Sequence, residues 1–160
     1  MTDYTIQPQT GIVNFTPYAM AKMSDGLFNA SENYNAKDTP TLNYFLYCAS
    51  IELGLKAGIL SQDNSLANKK HLKGPAISHD LQNLYQYFLN YFGTENLFDA
   101  NDIAVLDKIN PFFKTKGLEY ITTDVIVALA SGLSAFPKLS DLKNIALKMN
   151  KFLINNGYFN

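Results

Sequence analysis

The residues from Thr41 to Leu60 form the longest helical pattern in the chain and constrain its fold more than any other segment. Apolar side chains recur at helical spacing along two stripes: Leu42, Leu46, Ala49, Leu53 and Ala57 on one, and Tyr44, Cys48, Ile51, Leu55 and Ile59 on the other. A helix that is apolar on two sides must be covered by other elements on both. The segment therefore predicts the central and most buried helix of a bundle.

The same periodicity predicts further helices around this one. They cover Pro17 to Tyr34, Ser78 to Phe92, Phe98 to Ile109, and a last helix that starts at Ser140 and is closed by Gly157. The connection Phe112 to Tyr120 follows a proline stop. Ile121 to Ala130 is rich in β-branched residues, but a lone strand has nothing to pair with, so a short helix is favoured there.

Capping residues set the expected helix boundaries. Thr16 precedes Pro17 as an N-cap, Ser78 is an N-cap with Asp80 in the first turn, and Asp99 or Asn101 caps the next helix. Gly93 ends the helix before it, and Pro111 is expected to stop the one that follows.

A chain of 160 residues, 47% of them hydrophobic and 17% charged, is long enough for one globular domain. Residues 1–16, with Pro8 and Gly11, are interpreted as an N-terminal arm, and residues 17–157 as a single helical domain. The expected fold class is all-α, an antiparallel bundle of four or five main helices.

Charge excludes some functions. The net charge is −1, so the field of the whole molecule does not draw it to nucleic acid or to anionic membrane. The chain has no arginine, so an anion site must use lysine, backbone N–H groups or a helix N-terminus. The single Cys48 fits a reducing compartment, and neither a leader nor a membrane-spanning run is visible. A cytoplasmic protein is expected.

Glu52 and Lys56 stand four residues apart on the otherwise apolar central helix, in the favourable order for an ion pair. Their charged ends need partners, and the helix start at His79 and Asp80 can supply them. Two interpretations stay open. The cluster is a polar clamp between two helices, or a shallow site where Lys56, His79 and the helix N-terminus hold an anion such as phosphate. No catalytic residue, metal or cofactor is predicted, because no metal-spaced Cys/His set or phosphate loop occurs.

Two segments carry a resemblance to a known family: Ile51–Ala57, which reads Ile-Glu-Leu-Gly-Leu-Lys-Ala, and Ser78–Leu84, which reads Ser-His-Asp-Leu-Gln-Asn-Leu. They resemble the HEPN domain, whose members carry a similar Glu-x-x-Leu-Lys-Ala helix followed by a His-Asp-Leu helix start. The aromatic-rich stretch Leu106 to Tyr120 is also similar to that family. The resemblance spans residues 40–155 and implies a helical bundle, often dimeric, in bacterial defence, toxin–antitoxin systems or RNA metabolism.

The chain departs from the catalytic members of that family. Active HEPN ribonucleases carry an arginine four to six residues before a histidine, and this chain has no arginine and no histidine after His79. Lys73 stands at a suitable distance before His79, but lysine does not reproduce the guanidinium fork. Glu119 stands where an arginine is expected before Tyr120.

The resemblance thus implies a non-catalytic HEPN-like module that binds RNA, a nucleotide or a protein partner, with these candidate ligand-binding residues: Glu52, Lys56, Lys73, His79 and Asp80. A homodimer is expected, with the off-stripe Tyr87 and Tyr91 available to a partner. Two alternatives remain: a divergent ribonuclease that uses His79 with Glu52 or Asp80, and a purely structural dimerisation module.

Overall fold

The computed structural model of the chain describes residues 16–34, 39–63, 65, 79–93, 97–120, 122–131 and 135–159. These ranges contain seven α-helices and no β-strand: α1 Pro17–Asn33, α2 Pro40–Gln62, α3 Leu81–Phe92, α4 Ala100–Lys114, α5 Gly117–Tyr120, α6 Thr123–Ala130 and α7 Leu139–Asn155. The all-α prediction is confirmed, as is the short helix at residues 123–130. Of the predicted arm, residues 1–16, all but Thr16 lie outside the described residues.

Helix α2 is the centre of the molecule, as its two apolar stripes predicted. It packs against α1, α3, α5 and α7, and Ile51, Leu55 and Ile59 are almost wholly excluded from solvent. Three helices meet closely at Gly54, because a Cβ there would collide with Met149 of α7 and lie 3.2 Å from Oγ of Ser24 on α1. The stripe with Ile51 is buried, whereas Leu46, Ala49 and Leu53 on the other stripe are only half-buried.

Helix α1 runs antiparallel to α2. The Ser24 hydroxyl donates to the backbone oxygen of Ser50 at 2.7 Å, and the Ser50 hydroxyl donates back to the backbone oxygen of Ser24 at 2.8 Å. Four residues later on α1, the Phe28 ring meets Tyr47, three residues earlier on α2. The reciprocal hydrogen bonds of Ser24 and Ser50 satisfy two buried hydroxyls, at a point where small side chains let the backbones of α1 and α2 approach each other.

Helices α3 and α7 run parallel to α2, so the expectation of an antiparallel bundle is wrong for these neighbours. At one end of α7, Tyr44 donates from its hydroxyl to the backbone oxygen of Pro137 at 2.8 Å, and at the other Ser61 meets Tyr158 at 2.6 Å. Contacts that lie further along α2 thus also lie further along α7, as expected for two parallel helices. His79, two residues before α3, lies beside Glu52 in the middle of α2.

The helix ends confirm some caps and correct others. Thr16 accepts from the Ala19 N–H at 3.1 Å, as predicted. Helix α3 begins at Leu81, so Asp80 is its N-cap and not a first-turn residue, while Ser78 lies outside the described residues. Asp99 caps α4, with Asp102 completing a capping box.

Two predicted helix boundaries are wrong. Pro111 does not stop α4, which continues to Lys114; the added turn buries Phe113, and this burial favours continuation despite the missing N–H. Helix α7 begins at Leu139 with Lys138 at its N-cap, while the Ser140 hydroxyl lies beside Asp141.

The closing glycines are in the predicted places. Gly93 ends α3 with φ +66°, and Gly157 follows α7 with φ +73°. At α7, the Tyr158 N–H bonds to the Leu153 oxygen and the Gly157 N–H to the Ile154 oxygen, both at 3.1 Å. This is the Schellman pattern, which places a left-handed residue just after a helix and so favours glycine.

Candidate functional site

Glu52 and Lys56 form the predicted ion pair on α2, one helical turn apart. Both side chains are buried, with 6% of Glu52 and 8% of Lys56 exposed. A charged pair in this position is held by its own hydrogen bonds rather than by water. The Lys56 ammonium therefore stands behind the Glu52 carboxylate.

His79 is the second partner of Glu52. Its Nδ1 lies 3.0 Å from Oε2 of Glu52, and the ring is 53% exposed. The imidazole also meets the ring of Phe113 edge-on, with 6.2 Å between the centroids and 85° between the planes. Because Nδ1 is occupied by the carboxylate, Nε2 is the ring nitrogen that can contact a ligand.

Burial raises the pKa of the Glu52 carboxyl, but the hydrogen bond from His79 and the charge of Lys56 outweigh it, so the net pKa lies below the usual value of 4.5. Glu52 is therefore ionised at neutral pH. A buried carboxylate with both oxygens bonded holds the imidazole in one orientation.

Asp80 is not brought together with this cluster. Its carboxylate caps α3, accepts from Nδ2 of Asn110 at 2.9 Å, and lies 3.5 Å from the Lys114 ammonium. Burial raises the pKa of Asp80, but these hydrogen bonds and the charge of Lys114 lower it overall. Asp80 is a structural residue at the helix start, which faces α4.

Backbone N–H groups at the N-terminus of α3 are hydrogen-bonded to side chains of the protein itself. Asn110 of α4 is 1% exposed and accepts the Leu81 N–H on its side-chain oxygen at 2.9 Å. Asp80 accepts the Asn83 N–H. Two backbone donors that an anion would use are thus occupied, and Lys56 is committed to Glu52. The phosphate-holding interpretation of Lys56, His79 and the helix start is not supported by these contacts.

An open pocket of about 290 Å³ adjoins the cluster. Its walls come from α2, the second residue before α3, the end of α4, and the α4–α5 turn with α5: Phe45, Ala49, Glu52, Leu53, His79, Phe113, Lys116 and Glu119. Of the predicted site residues, Glu52 and His79 line it. Lys56 lies behind Glu52, Asp80 faces α4, and Lys73 lies outside the described residues.

Sequence reasoning missed the remaining walls of the pocket. Phe45, Ala49 and Leu53 share a half-buried stripe of α2 with Glu52, and their helical spacing was a usable signal. Phe113 was not expected at the site, because the helix was predicted to end before Pro111. Lys116 adopts a left-handed backbone, φ +59°, which turns the chain from α4 into α5 and places Glu119 at the pocket.

The pocket mouth carries opposite charges on Lys116 and Glu119. In the described part of the chain neither residue forms a salt bridge, and the Lys116 ammonium lies 5.9 Å from the centre of the Tyr120 ring. With the inner pair Glu52–Lys56, the site holds two acidic and two basic charges besides His79. Its walls are otherwise apolar and aromatic.

Three other features bear on the chemistry of the described residues: possible metal ligands, Cys48, and the pair Tyr87 and Tyr91. Among the described residues, no group of three or more His, Cys, Asp or Glu side chains could hold a metal ion. Cys48 is fully buried, and burial raises the pKa of its thiol, so it is protonated and unreactive. Tyr87 and Tyr91 are half-buried, and the Tyr91 hydroxyl donates to Asp63 at 3.3 Å.

A larger groove of about 680 Å³ lies between α4 and α7. Its main charged groups, Asp99, Asp102 and Lys148, are paired with one another. Asp141 and Lys151 also line the groove and form no salt bridge in the described part of the chain, but the lining of the groove contains no aromatic ring and no histidine, unlike that of the His79 pocket. None of the described helices combines the length and apolarity needed to cross a bilayer.

Comparison with known proteins adds no relative to this picture. The chain matches no family model, no curated protein and no solved structure. Any argument about function therefore starts from the geometry of the site.

Proposed function

We propose that the chain is a non-catalytic, HEPN-like helical domain that binds RNA or a nucleotide in the His79 pocket. The observation that carries the proposal is a half-exposed imidazole, fixed by the buried Glu52–Lys56 pair, on the wall of an open pocket with two phenylalanines. Aromatic faces and a fixed hydrogen-bonding ring are what an unstacked base needs.

The same cluster argues against catalysis. Phosphodiester cleavage requires a positioned acid or base and a group that stabilises charge developing on the phosphate. His79 with Glu52 resembles the first, since a carboxylate orients the imidazole. The second is provided only weakly, because the chain has no arginine and Lys56 is bonded to Glu52, which leaves Lys116 at the pocket mouth as a point charge in place of a guanidinium fork. We expect binding without turnover.

Titration with the four mononucleoside monophosphates and with short single-stranded RNA, followed by amide chemical shifts, tests the proposal. Binding should perturb residues around His79 and should weaken in His79→Ala. Asn90→Ala, at an exposed position near the other end of α3 and outside the pocket, is the control and should bind like the original chain. Melting temperatures of both variants report whether the fold is retained. Absence of any perturbation around the pocket contradicts the proposal.

Cleavage is tested on the same samples. The purified protein should leave single-stranded and structured RNA intact over hours. Cleavage that disappears in His79→Ala, while the melting temperature is unchanged, would instead establish the divergent ribonuclease with Glu52 as the orienting carboxylate.

A second candidate function, dimerisation, is favoured by a separate observation. Helix α6 leaves Ile126 55% and Val127 63% exposed, and Tyr120 on the adjoining α5 is 67% exposed. Neighbouring exposed apolar side chains are typical of a surface that a partner covers. A homodimer through α6 should give twice the 17.9 kDa chain mass in light scattering, and Val127→Asp should return it to the chain mass. A single-chain mass for the original protein at micromolar concentration contradicts this candidate.

A further inference from the structure

We infer that the His79 pocket selects guanine among the four RNA bases. The inference rests on the proposed function, since it names the ligand that a nucleotide-binding pocket with these walls would prefer. It depends on three properties of the pocket: its balanced charge, its ring arrangement and the different hydrogen-bonding states of its two carboxylates.

Charge balance favours a neutral group inside the pocket. The Glu52 charge is matched by Lys56 behind it, and Glu119 and Lys116 supply one charge of each sign at the mouth. An anion such as phosphate would face two carboxylates and a single ammonium outside a salt bridge, that of Lys116, because the buried Lys56 is already bonded to Glu52. A neutral ring carries no such penalty, and a sugar phosphate attached to it can remain in solvent.

The aromatic walls favour a flat ring. The Phe45 and Phe113 rings lie with their centroids 6.3 Å apart and tilted by 49°, and His79 stands almost perpendicular to Phe113. Phe113 is 5% exposed and packs behind the other two rings, so the half-buried Phe45 and the exposed imidazole of His79 are the rings of the lining that a flat ligand can contact. Stacking on such faces is available to every base and is not selective by itself.

Selectivity comes from the two carboxylates. Both oxygens of Glu52 are bonded, one to Lys56 and one to His79. Glu119 lines the mouth without a salt bridge in the described part of the chain, and a carboxylate only accepts hydrogen bonds. Guanine offers it two adjacent donors, the N1–H and the N2 amino group.

Lys116 completes the match to guanine. Its ammonium only donates, and guanine carries the acceptors O6 and N7 on the edge beyond N1. Adenine places an amino group where guanine has O6, cytosine has a single amino donor, and uracil has a single N–H. Of the four bases, only guanine carries two adjacent hydrogen-bond donors, N1–H and the N2 amino group, next to two acceptors, O6 and N7.

Calorimetric titration with GMP, IMP, AMP, CMP and UMP tests this assignment. IMP is guanosine monophosphate without the N2 amino group, so GMP should bind at least about tenfold more tightly than IMP or AMP. A guanine-containing single-stranded trinucleotide is titrated beside GMP to separate RNA from a free nucleotide as the source of the base.

Glu119→Gln is the decisive variant, because Glu119 is exposed and its replacement leaves the fold intact. It should abolish the preference for GMP over IMP, whereas Asp124→Asn, an exposed acidic position on α6, should retain it. Equal affinity for all five nucleotides would overturn the guanine assignment and leave the proposed function standing. Binding of none would contradict the proposed function, and the guanine assignment with it.

Discussion

Among the charged clusters in the described part of the chain, one around Lys56 and one around Lys148 differ in how far solvent reaches them. In the inner cluster, Glu52 and Lys56 are more than nine-tenths buried, and His79 closes it on the solvent side. In the outer cluster, between α4 and α7, Lys148 pairs with Asp99 and Asp102 while 40% of Lys148 and 56% of Asp99 are exposed. The contacts are similar, but the surroundings decide what each contact contributes.

Burial decides whether a charged pair can hold the side chains of a ligand site in fixed positions. Water and salt screen Lys148 and Asp99 of the outer cluster, and Asp102, whose side chain is 10% exposed, also accepts from the Asp99 N–H, so the pairs with Lys148 add little stability. Water cannot solvate the buried charges of the inner cluster, so leaving one of them unpaired there lowers the stability of the fold. A buried pair therefore fixes the exposed imidazole in place, whereas an exposed pair only links two helices.

The largest effect should follow from breaking the inner pair. Lys56→Met leaves the Glu52 carboxylate buried with His79 as its remaining partner, and should lower the free energy of unfolding by about 3–5 kcal/mol. Urea denaturation measures this. A loss below about 1 kcal/mol would show that the inner pair is solvated like the outer one.

Replacing both charges should recover much of that loss. In Glu52→Leu with Lys56→Met, no unpaired buried charge remains, so the double variant should be more stable than Lys56→Met by about 1–4 kcal/mol. The same urea series provides the measurement. Additive losses from the two substitutions would contradict the claim that the cost comes from the orphaned carboxylate.

Loss of Asn110 should have a smaller effect that reaches the pocket. Asn110→Ala leaves the Leu81 N–H without its acceptor and removes one partner of Asp80, which should cost about 1–3 kcal/mol. Because this contact anchors the start of α3, the amide signals near His79 should broaden. Unchanged signals there would show that Glu52 alone positions the imidazole.

Acid should weaken the inner cluster in a defined direction. The folded-state pKa of Glu52 lies below 4.5, because the contributions of His79 and Lys56 exceed the opposing effect of burial. The unfolded chain therefore takes up the proton first. The stabilisation is present above the unfolded pKa and is lost as pH falls through the lowered folded value.

The unfolding free energies of the original chain and Glu52→Gln, compared from about pH 6 to about pH 3, isolate this contribution. The difference between the two proteins should shrink on acidification. A difference that stays constant over this range would contradict a lowered pKa for Glu52.

The smallest effect should come from the outer cluster. Hydrogen bonds to Asp102 and Asp99 raise the pKa of Lys148, so it is charged at neutral pH, yet its exposure limits the energy of the pair. Lys148→Met should cost about 0–1 kcal/mol, and the cost should fall further in high salt. A loss equal to that of Lys56→Met would remove the distinction between the two clusters.

Much of the fold could be predicted because it depends on local pattern. The two stripes of α2 placed it at the centre, and Thr16, Gly93 and Gly157 marked ends that the structure confirms. Prediction failed where distant packing overrode a local rule. Pro111 lies inside α4, since burying Phe113 favours one more turn.

The candidate site was predicted only in part for the same reason. The spacing of Glu52 and Lys56 identified their ion pair, because i and i+4 share one face of a helix. The approach of His79 to Glu52 was a sound expectation, but Asp80 turns to Asn110, and no local signal reports that contact.

Sequence alone therefore determined the helical class, the central helix and the buried pair on it, because each depends on periodicity within one segment. Tertiary structure decided the rest: the parallel direction of α3 and α7 beside α2, and the pocket that Phe45, Phe113, Lys116 and Glu119 form around His79. These residues come from separate elements. Whether they come together depends on how the helices are arranged in space and on which side chains can be buried together. The spacing of residues within a single helix reports neither.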